Sequence, residues 1–133
     1  IHLRSLKVEG EHHSFSHGTQ ILGSATASGG RFIGSISSGH HLVFKDVLLE
    51  GLSGVEMRVA SPSAGGRVEL RAGAPDGQIL SAVEFKPTGA WEDWVVKSAS
   101  IADPGRLVDL YCVFVNPAGG GAFMNLDYLK FIR

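Results

Sequence analysis

The residues best suited to recognition lie at positions 88–94, where both tryptophans of the 133-residue chain fall within Thr-Gly-Ala-Trp-Glu-Asp-Trp. The small residues before Trp91 indicate a tight turn, and the valines after Trp94 indicate that a strand has begun by that residue. In extended backbone, a spacing of three sends two side chains to opposite faces, so one indole is free for the core and the other for presentation. A flat ring exposed at a loop tip suits stacking on an apolar surface, such as the face of a sugar ring. The alternative is that both indoles are core filler or loop anchors.

Acidic residues near the two ends of the chain form a second candidate group. Glu9 and Glu11 follow Val8 and are two residues apart in the predicted first strand, so both carboxylates point to one face. Asp127 can join them if the first and last strands pair. Several oxygen ligands in one place are what a hard cation such as calcium requires. The alternative is two solvated glutamates on an edge strand and an unrelated aspartate.

Other reactive residue types have weaker patterns. The histidines at 12, 13, 17, 40 and 41 lack zinc-ligand spacing, and exposed loop positions are expected for them. A pair of carboxylates for glycoside hydrolysis can be sought among Glu84, Glu92, Asp93 and Asp127, but neighbouring residues 92 and 93 should diverge. Cys112 is the only cysteine and lies in an apolar run, which predicts a buried side chain and no internal disulfide. The glycine-rich run at 118–121 lacks the lysine and helix of a phosphate-binding loop and is interpreted as a loop.

Composition limits the class of protein. The formal net charge of −1 gives no basic field, which argues against nucleic acid and anionic membranes as partners. No apolar run approaches the roughly 20 residues that span a bilayer, and the first residues do not resemble a signal peptide. We therefore expect one domain over residues 1–133, excised from a longer polypeptide whose targeting signal lies elsewhere.

The elements that must position these residues are strands. No segment has a sustained helical repeat, whereas two-residue alternation is frequent and 18 glycines and 5 prolines divide the chain into short pieces. Segments 12–20 and 24–30 are interpreted as irregular, and segments 55–60 and 67–72 as a hairpin-like pair with one outward charged stripe. The predicted strands cover 6–11, 31–37, 41–47, 55–60, 67–72, 78–86, 93–101, 108–115 and 123–131. This pattern predicts an all-β fold of two antiparallel sheets packed face to face.

Five segments in matching order resemble carbohydrate-binding module family 6, the β-jelly-roll sugar-binding domains of secreted polysaccharide-degrading enzymes. They are Val-Glu-Gly-Glu at 8–11 with Gly-Thr-Gln at 18–20, Gly-Ser-Ile at 34–36, Gly-Gly-Arg-Val-Glu-Leu-Arg at 65–71, Thr-Gly-Ala-Trp-Glu-Asp-Trp at 88–94 and Phe-Met-Asn-Leu-Asp-Tyr at 123–128.

The resemblance implies a structural calcium between the first and last strands. The matching positions are Glu9, Glu11 and Asp127, with a backbone carbonyl near Arg31 as a further ligand.

The resemblance also implies a sugar site among the loops at one end of the sandwich. Trp91 matches one of the family's two stacking aromatics, and Asn125 matches the asparagine that bonds sugar hydroxyls. Ser35 stands where the family has tyrosine, so the second aromatic is missing. Phe32, His40 or His41 are candidates to fill the gap. Some members bind glycan on the concave sheet face instead.

The expected function is non-catalytic binding of polysaccharide or oligosaccharide by an extracellular or periplasmic module, which targets a covalently attached catalytic domain to its substrate. A structural packing module with a degenerate sugar site is the first alternative. A small glycoside hydrolase is the second.

Overall fold

The computed structural model describes residues 7–9, 15–17, 20–23, 30–118 and 121–132, with side chains from residue 23 onward. Its elements are all strands: the described residues contain no α-helix, and therefore none that could cross a bilayer. The strands are β1 (Lys7–Glu9), β2 (Phe15–His17), β3 (Gln20–Gly23), β4 (Arg31–Ile36), β5 (His41–Leu49), β6 (Gly54–Ala60), β7 (Gly66–Ala72), β8 (Gln78–Phe85), β9 (Val95–Ser100), β10 (Arg106–Val115) and β11 (Met124–Ile132).

The strands form two antiparallel sheets. One sheet has the order β3-β4-β11-β6-β9, with β1 also pairing with β11, and the other has the order β2-β5-β10-β7-β8. The all-β sandwich, a jelly roll, is confirmed. Its strands alternate because each long strand buries one face between the sheets.

A single cluster of buried apolar side chains fills the space between the sheets. Among its largest members, Phe44 and Phe114 come from the five-stranded sheet and Phe131 from the six-stranded sheet. Cys112 is a fully buried member of this cluster, as predicted, and burial raises the pKa of its thiol. A buried neutral thiol is a small hydrophobe rather than a nucleophile.

The predicted hairpin-like pair of β6 and β7 is wrong. β6 pairs with β11 and β9, whereas β7 pairs with β10 and β8 in the other sheet. The connection between them crosses the end of the sandwich, and the hydroxyl of Ser61 fixes it. Ser61 Oγ donates to the carbonyl of Phe123 (2.5 Å) and accepts from the amide of Gly65 (3.1 Å). The expected single charged stripe is therefore divided between the two outer faces of the molecule.

Two further predictions need correction. Residues 12–20, interpreted as irregular, contain β2 and the first residue of β3. Trp94 precedes β9, which begins at Val95, because a turn closed by the amide of Asp93 on the carbonyl of Ala90 (3.4 Å) delays the strand. Residues 24–29 of the predicted small-residue loop, and residues 119–120 of the glycine-rich run, lie outside the described residues.

Four connections gather at one end of the sandwich, which we call the loop end. The register of β11 with β4 and β6, and of β6 with β9, brings the ends of β4 and β6 beside the starts of β11 and β9. The described part of the loop end consists of residues 37–40, 61–65, 86–94, 116–118 and 121–123, including the segment that carries both tryptophans.

Candidate functional site

The loop that carries Trp91 is anchored to the β6–β7 connection. The amide of Thr88 donates to the carbonyl of Ser61 (2.7 Å), and the amide of Ser61 donates to Thr88 Oγ1 (3.0 Å). The amide of Gly89 points to the same Ser61 carbonyl at 3.4 Å. These reciprocal bonds restrict the loop on the side that precedes Trp91.

On the other side, Asn125 anchors the loop. Its Nδ2 donates a hydrogen bond of 2.7 Å to the backbone carbonyl of Trp91, and its side chain is buried. The Trp91 ring remains 44% exposed. The Asn125 amide and the exposed Trp91 therefore lie together at the loop end, on a backbone that hydrogen bonds hold on both sides.

Trp94 occupies a different environment, partly buried behind this loop. Its ring meets Phe32 edge to face, with centroids 5.5 Å apart and planes inclined at 72°. The guanidinium of Arg58 lies 5.3 Å from the ring centroid, within cation–π range. Arg58 Nη1 in turn donates to Oδ2 of the fully buried Asp127 at 2.7 Å. The four side chains that these contacts connect, which we call the support, lie where the Trp91 loop ends and β9 begins; they are Phe32, Arg58, Trp94 and Asp127.

Ser35 lies beside Asn125. The register between β4 and β11 shifts between the pairs Met124–Ile36 and Leu126–Ile33, so Ser35 belongs to the irregular stretch opposite Asn125. Ser35 has a φ of 54°, a left-handed conformation that non-glycine residues adopt at a cost. The structure thus places Ser35, Asn125 and the Trp91 backbone together at the loop end.

None of the three proposed substitutes for the missing aromatic, Phe32, His40 and His41, is an exposed ring in the structure. Phe32 is only 5% exposed, because its ring packs against Trp94. His40 lies at the loop end, where its Nδ1 accepts from the amide of Ser37 (3.1 Å) and fastens the ring to its own turn. His41 begins β5, and its ring is 5.6 Å from that of Tyr111 on the neighbouring strand β10 of the same sheet. His40 and His41 are thus both partly buried, not the exposed loop residues that we expected.

The calcium hypothesis requires the first and last strands to pair, and they do. β1 flanks the second half of β11, with Glu9 opposite Tyr128, and β4 flanks the first half, with Ile33 opposite Leu126. Asp127, fully buried, lies at the junction between these two neighbours. The backbones of Glu9 and Asp127 and the start of β4 therefore converge, which fits a carboxylate-and-carbonyl site. The side chain of Glu9 and all of Glu11 lie outside the described residues, and the remaining described residues hold no cluster of three potential metal ligands.

The carboxylates considered for hydrolysis are dispersed. Glu92 and Asp93 are exposed in the Trp91 loop, Glu84 is exposed on β8 of the other sheet, and Asp127 is ion-paired with Arg58. A hydrolytic pair flanking one glycosidic bond requires two carboxyl groups facing one cleft.

Comparison with known proteins decides the family. The model of the carbohydrate binding module (family 6) matches residues 9–133. The chain belongs to this family. The family 6 module is a non-catalytic carbohydrate-binding domain, which confirms the expected function class and excludes the hydrolase alternative.

Several solved structures share the fold of this family 6 module. A β-1,3-glucan binding module from Bacillus halodurans is 30% identical, with a TM-score of 0.89 over 96% of this chain and 95% of that chain. A module from Clostridium cellulolyticum in complex with xylose is 24% identical, with a TM-score of 0.88 over 96% of both chains. The latter identity supports the shared fold alone.

A curated relative shows the module as part of a longer protein. Endo-1,4-beta-xylanase A of Thermoclostridium stercorarium is 26% identical over 127 residues, which is 95% of this chain and 23% of the relative. The chain therefore spans about a quarter of the relative that it matches.

Sequence reasoning missed Arg58 and underestimated Trp94. Arg58 was interpreted as one member of a solvated charge stripe, although it bridges Asp127 and the Trp94 ring. The second tryptophan of the 88–94 segment was the available signal for this support. No signal in the sequence pointed to its partner Arg58, which lies 36 residues away in the chain.

Proposed function

We propose that this family 6 module binds a neutral, β-linked polysaccharide of the xylan or β-glucan class at its loop end, with Trp91 as the stacking platform. The single observation that carries this proposal is that Trp91 is 44% exposed on a loop whose backbone is hydrogen-bonded on both sides, to Ser61 and to Asn125. A preordered aromatic platform loses little conformational entropy when a sugar ring stacks on it.

Asn125 has a double role in this proposal. One N–H of its amide holds the Trp91 carbonyl. The second N–H and the Oδ1 atom are the remaining hydrogen-bonding capacity of the amide. With most of its side chain buried, Asn125 acts chiefly as a positioning residue.

The relatives support this polysaccharide class. A module 30% identical to this chain is described as β-1,3-glucan binding, and a xylanase carries a related segment. A single platform without the facing tyrosine predicts a modest dissociation constant, about 10 μM to 1 mM. Several modules on one polypeptide would raise the effective affinity.

Isothermal titration calorimetry with xylan and β-1,3-glucan oligosaccharides tests the site. Trp91→Ala removes the ring and is expected to weaken binding at least tenfold, while the module stays folded because Trp91 lies outside the buried core cluster. Leu107→Ala is the matched control, since Leu107 is an apolar side chain 54% exposed at the opposite end of β10. Equal affinities for Trp91→Ala and the unmodified module would contradict the proposal.

A structural packing module is the second candidate, favoured by Ser35 in place of the tyrosine of the family motif. This candidate predicts that no oligosaccharide of the panel binds, while the fold and its calcium are retained.

We further propose that calcium joins the chain ends at the junction of β1, β4 and β11, held by Glu9, Glu11, Asp127 and a backbone carbonyl near Arg31. The convergence of the strands and the buried carboxylate of Asp127 support this site. Bound calcium would stabilise the folded state by mass action and would take no part in chemistry. Calcium is expected to raise the unfolding temperature of chelator-treated protein, and magnesium at the same concentration is not. The absence of calcium binding in a direct titration would contradict the site.

The proposed context is an extracellular or periplasmic polypeptide in which the module holds an attached catalytic domain near its substrate. The xylanase relative, of which this segment covers 23%, supports that arrangement. Deleting the module from the full-length protein is expected to reduce activity on insoluble polysaccharide and to leave activity on short oligosaccharides unchanged.

A further inference from the structure

A cleft of about 670 Å³, separate from the Trp91 platform, lies beside the β6–β7 connection. Its volume falls within the range of about 300–1,000 Å³ typical of small-molecule sites. Strands β7, β8 and β9 and the start of the β10–β11 connection line it. Gly65 and Gly66 form part of the wall, so backbone is accessible where other residues would carry side chains.

The charged side chains that line this cleft are mostly cationic. They are Arg67, Lys86 and Lys97, opposed by the single carboxylate of Glu84. Arg67 also pairs with Glu69 at 2.8 Å, but Glu69 simultaneously binds Arg71 at 2.9 Å, so this group too carries excess positive charge. The cleft is therefore locally cationic on a chain whose formal net charge is −1.

Lys97 reaches the cleft from an unusual position. It lies opposite Met57, which is fully buried, so its Cβ enters the space between the sheets at the edge strand β9. A lysine on an inward-facing register position extends its aliphatic stem over apolar surface and places its ammonium at the rim. Within the described part of the chain, neither Lys97 nor Lys86 forms a salt bridge.

The cleft is connected to the Trp91 platform through Ser61. Residues Ala64 and Gly65 at one wall belong to the connection that Ser61 fixes, and Lys86 precedes the Trp91 loop that Thr88 ties to Ser61. Both features therefore belong to the same two joined loops, and the intervening backbone is held by hydrogen bonds.

We propose that this cleft binds an anionic substituent of a glycan, either a carboxylate or a sulfate ester, through Lys86, Lys97 and Arg67. The proposal rests on the proposed function, which supplies the class of ligand. It extends that function from neutral chains to acidic, decorated polysaccharides. Ammonium and guanidinium groups bind such oxyanions by charge-assisted hydrogen bonds.

The experiment compares matched neutral and acidic oligosaccharides by calorimetry. The pairs are xylotetraose without and with a glucuronic acid side group, and laminaritetraose without and with sulfate esters. At low salt we expect the acidic member of at least one pair to bind about fivefold more tightly, with the gain reduced at about 0.5 M salt. Which pair shows the gain distinguishes carboxylate from sulfate.

Variants assign the gain to the cleft. Lys86→Ala combined with Lys97→Ala is expected to abolish the gain and to leave the neutral affinity and the unfolding temperature unchanged, since both side chains are exposed. Lys130→Ala is the control, because it removes an exposed lysine of β11 that does not line the cleft. This variant is expected to keep the gain in affinity for the acidic oligosaccharide.

Equal binding of both members of both pairs, or a gain that survives the double variant, would overturn the cleft proposal and leave the Trp91 proposal intact. Conversely, neutral binding that is unaffected by Trp91→Ala would contradict the proposed function, while a lysine-dependent gain would still support the cleft. If the double variant dimerises and still binds the acidic oligosaccharide more tightly than the neutral one, Lys97 protects the β9 edge from pairing and has no role in binding.

Discussion

Two residues have different roles at the loop site: Trp91 supplies the ring, and Asn125 supplies the hydrogen bond that positions the Trp91 backbone. The indole contributes exposed apolar surface, and the Asn125 amide contributes a 2.7 Å hydrogen bond to the Trp91 carbonyl. Because that bond is made to the backbone, it persists whatever side chain stands at position 91. Substitutions at the two positions should therefore differ in their effect on stability.

Asn125→Ala is expected to reduce both stability and sugar binding. It removes a buried donor and the packing of the amide, which costs about 1–2 kcal/mol of unfolding free energy. It also frees the Trp91 loop on one side, so affinity is expected to fall about tenfold. Urea unfolding and calorimetry measure the two effects. A variant that loses stability but binds sugar like the unmodified module would show that Asn125 does not position the platform.

Ser35→Tyr is expected to restore a second stacking face opposite Trp91. An added aromatic contact of about 0.5–1.5 kcal/mol corresponds to an affinity gain of about two- to tenfold. Ser35→Gly is the matched control, because it relieves the positive φ of 54° and is expected to raise stability without changing affinity. An unchanged or weaker affinity in Ser35→Tyr, measured by calorimetry, would contradict the one-sided model of the site.

At the scale of elements, the β6–β7 connection determines the shape of the loop end. It carries the chain from one sheet to the other, and the hydroxyl of Ser61 links it to Phe123 while the backbone of Ser61 links it to Thr88. Loops at such a crossover must approach one another closely, and this restricts the residues that they tolerate.

Gly66→Ala is expected to destabilise the module by about 2–4 kcal/mol. A Cβ at this position would lie 2.5 Å from the carbonyl oxygen of Val115 and 2.8 Å from the Phe123 ring, so backbone must shift. At Gly121 no such atom lies within 4 Å, and Gly121→Ala is expected to be neutral. Chemical denaturation of both variants checks the contrast, and equal unfolding free energies would contradict it.

Strand β7 carries a charge network with a predictable pH dependence. Burial alone raises the pKa of Glu69, but hydrogen bonds and charges from Arg67 and Arg71 outweigh it and hold the pKa below its usual 4.5. A depressed carboxyl pKa gives stability that is present above about pH 4.5 and lost as pH falls through the folded-state pKa.

Glu69→Gln is therefore expected to lower the unfolding free energy by about 1–3 kcal/mol at pH 7, because the arginines lose their ionised partner. Urea unfolding at pH 7 and pH 3 measures this difference from the unmodified module. The difference should be smaller at pH 3, because the glutamate is protonated in the unfolded state below about pH 4.5 and its protonation in the folded state removes the charge that the arginines bind. A difference that stays constant between these pH values would contradict the network.

At the scale of the whole molecule, the sequence predicted the sheets better than their connections. Alternation in 67–72 and 78–86 reports a strand with one buried face, so those strands were found within a residue or two. Alternation does not report the partner strand. The assignment of β6 and β7 to one hairpin failed for this reason, since only the register with β11 and β10 separates them.

The sequence indicated those site residues whose role depends only on their local segment. Trp91 is exposed and Trp94 is partly buried, and a turn over residues 90–93, rather than a continuous strand, separates the two indoles. The salt bridge of Arg58 with Asp127 joins residues 69 positions apart. Such pairing depends on the fold as a whole, and no local pattern indicates it.

The most direct test of glycan binding at the loop end is an NMR titration of the nitrogen-15-labelled module with xylotetraose and laminaritetraose. The chain has two tryptophans and hence two indole N–H signals. We expect a saturable shift of the Trp91 indole signal, a smaller shift for Trp94, and shifts of the backbone amides at 89–93 and 124–126. Saturable shifts confined to the outer face of the five-stranded sheet, with the Trp91 signal unmoved, would contradict glycan binding at the loop end.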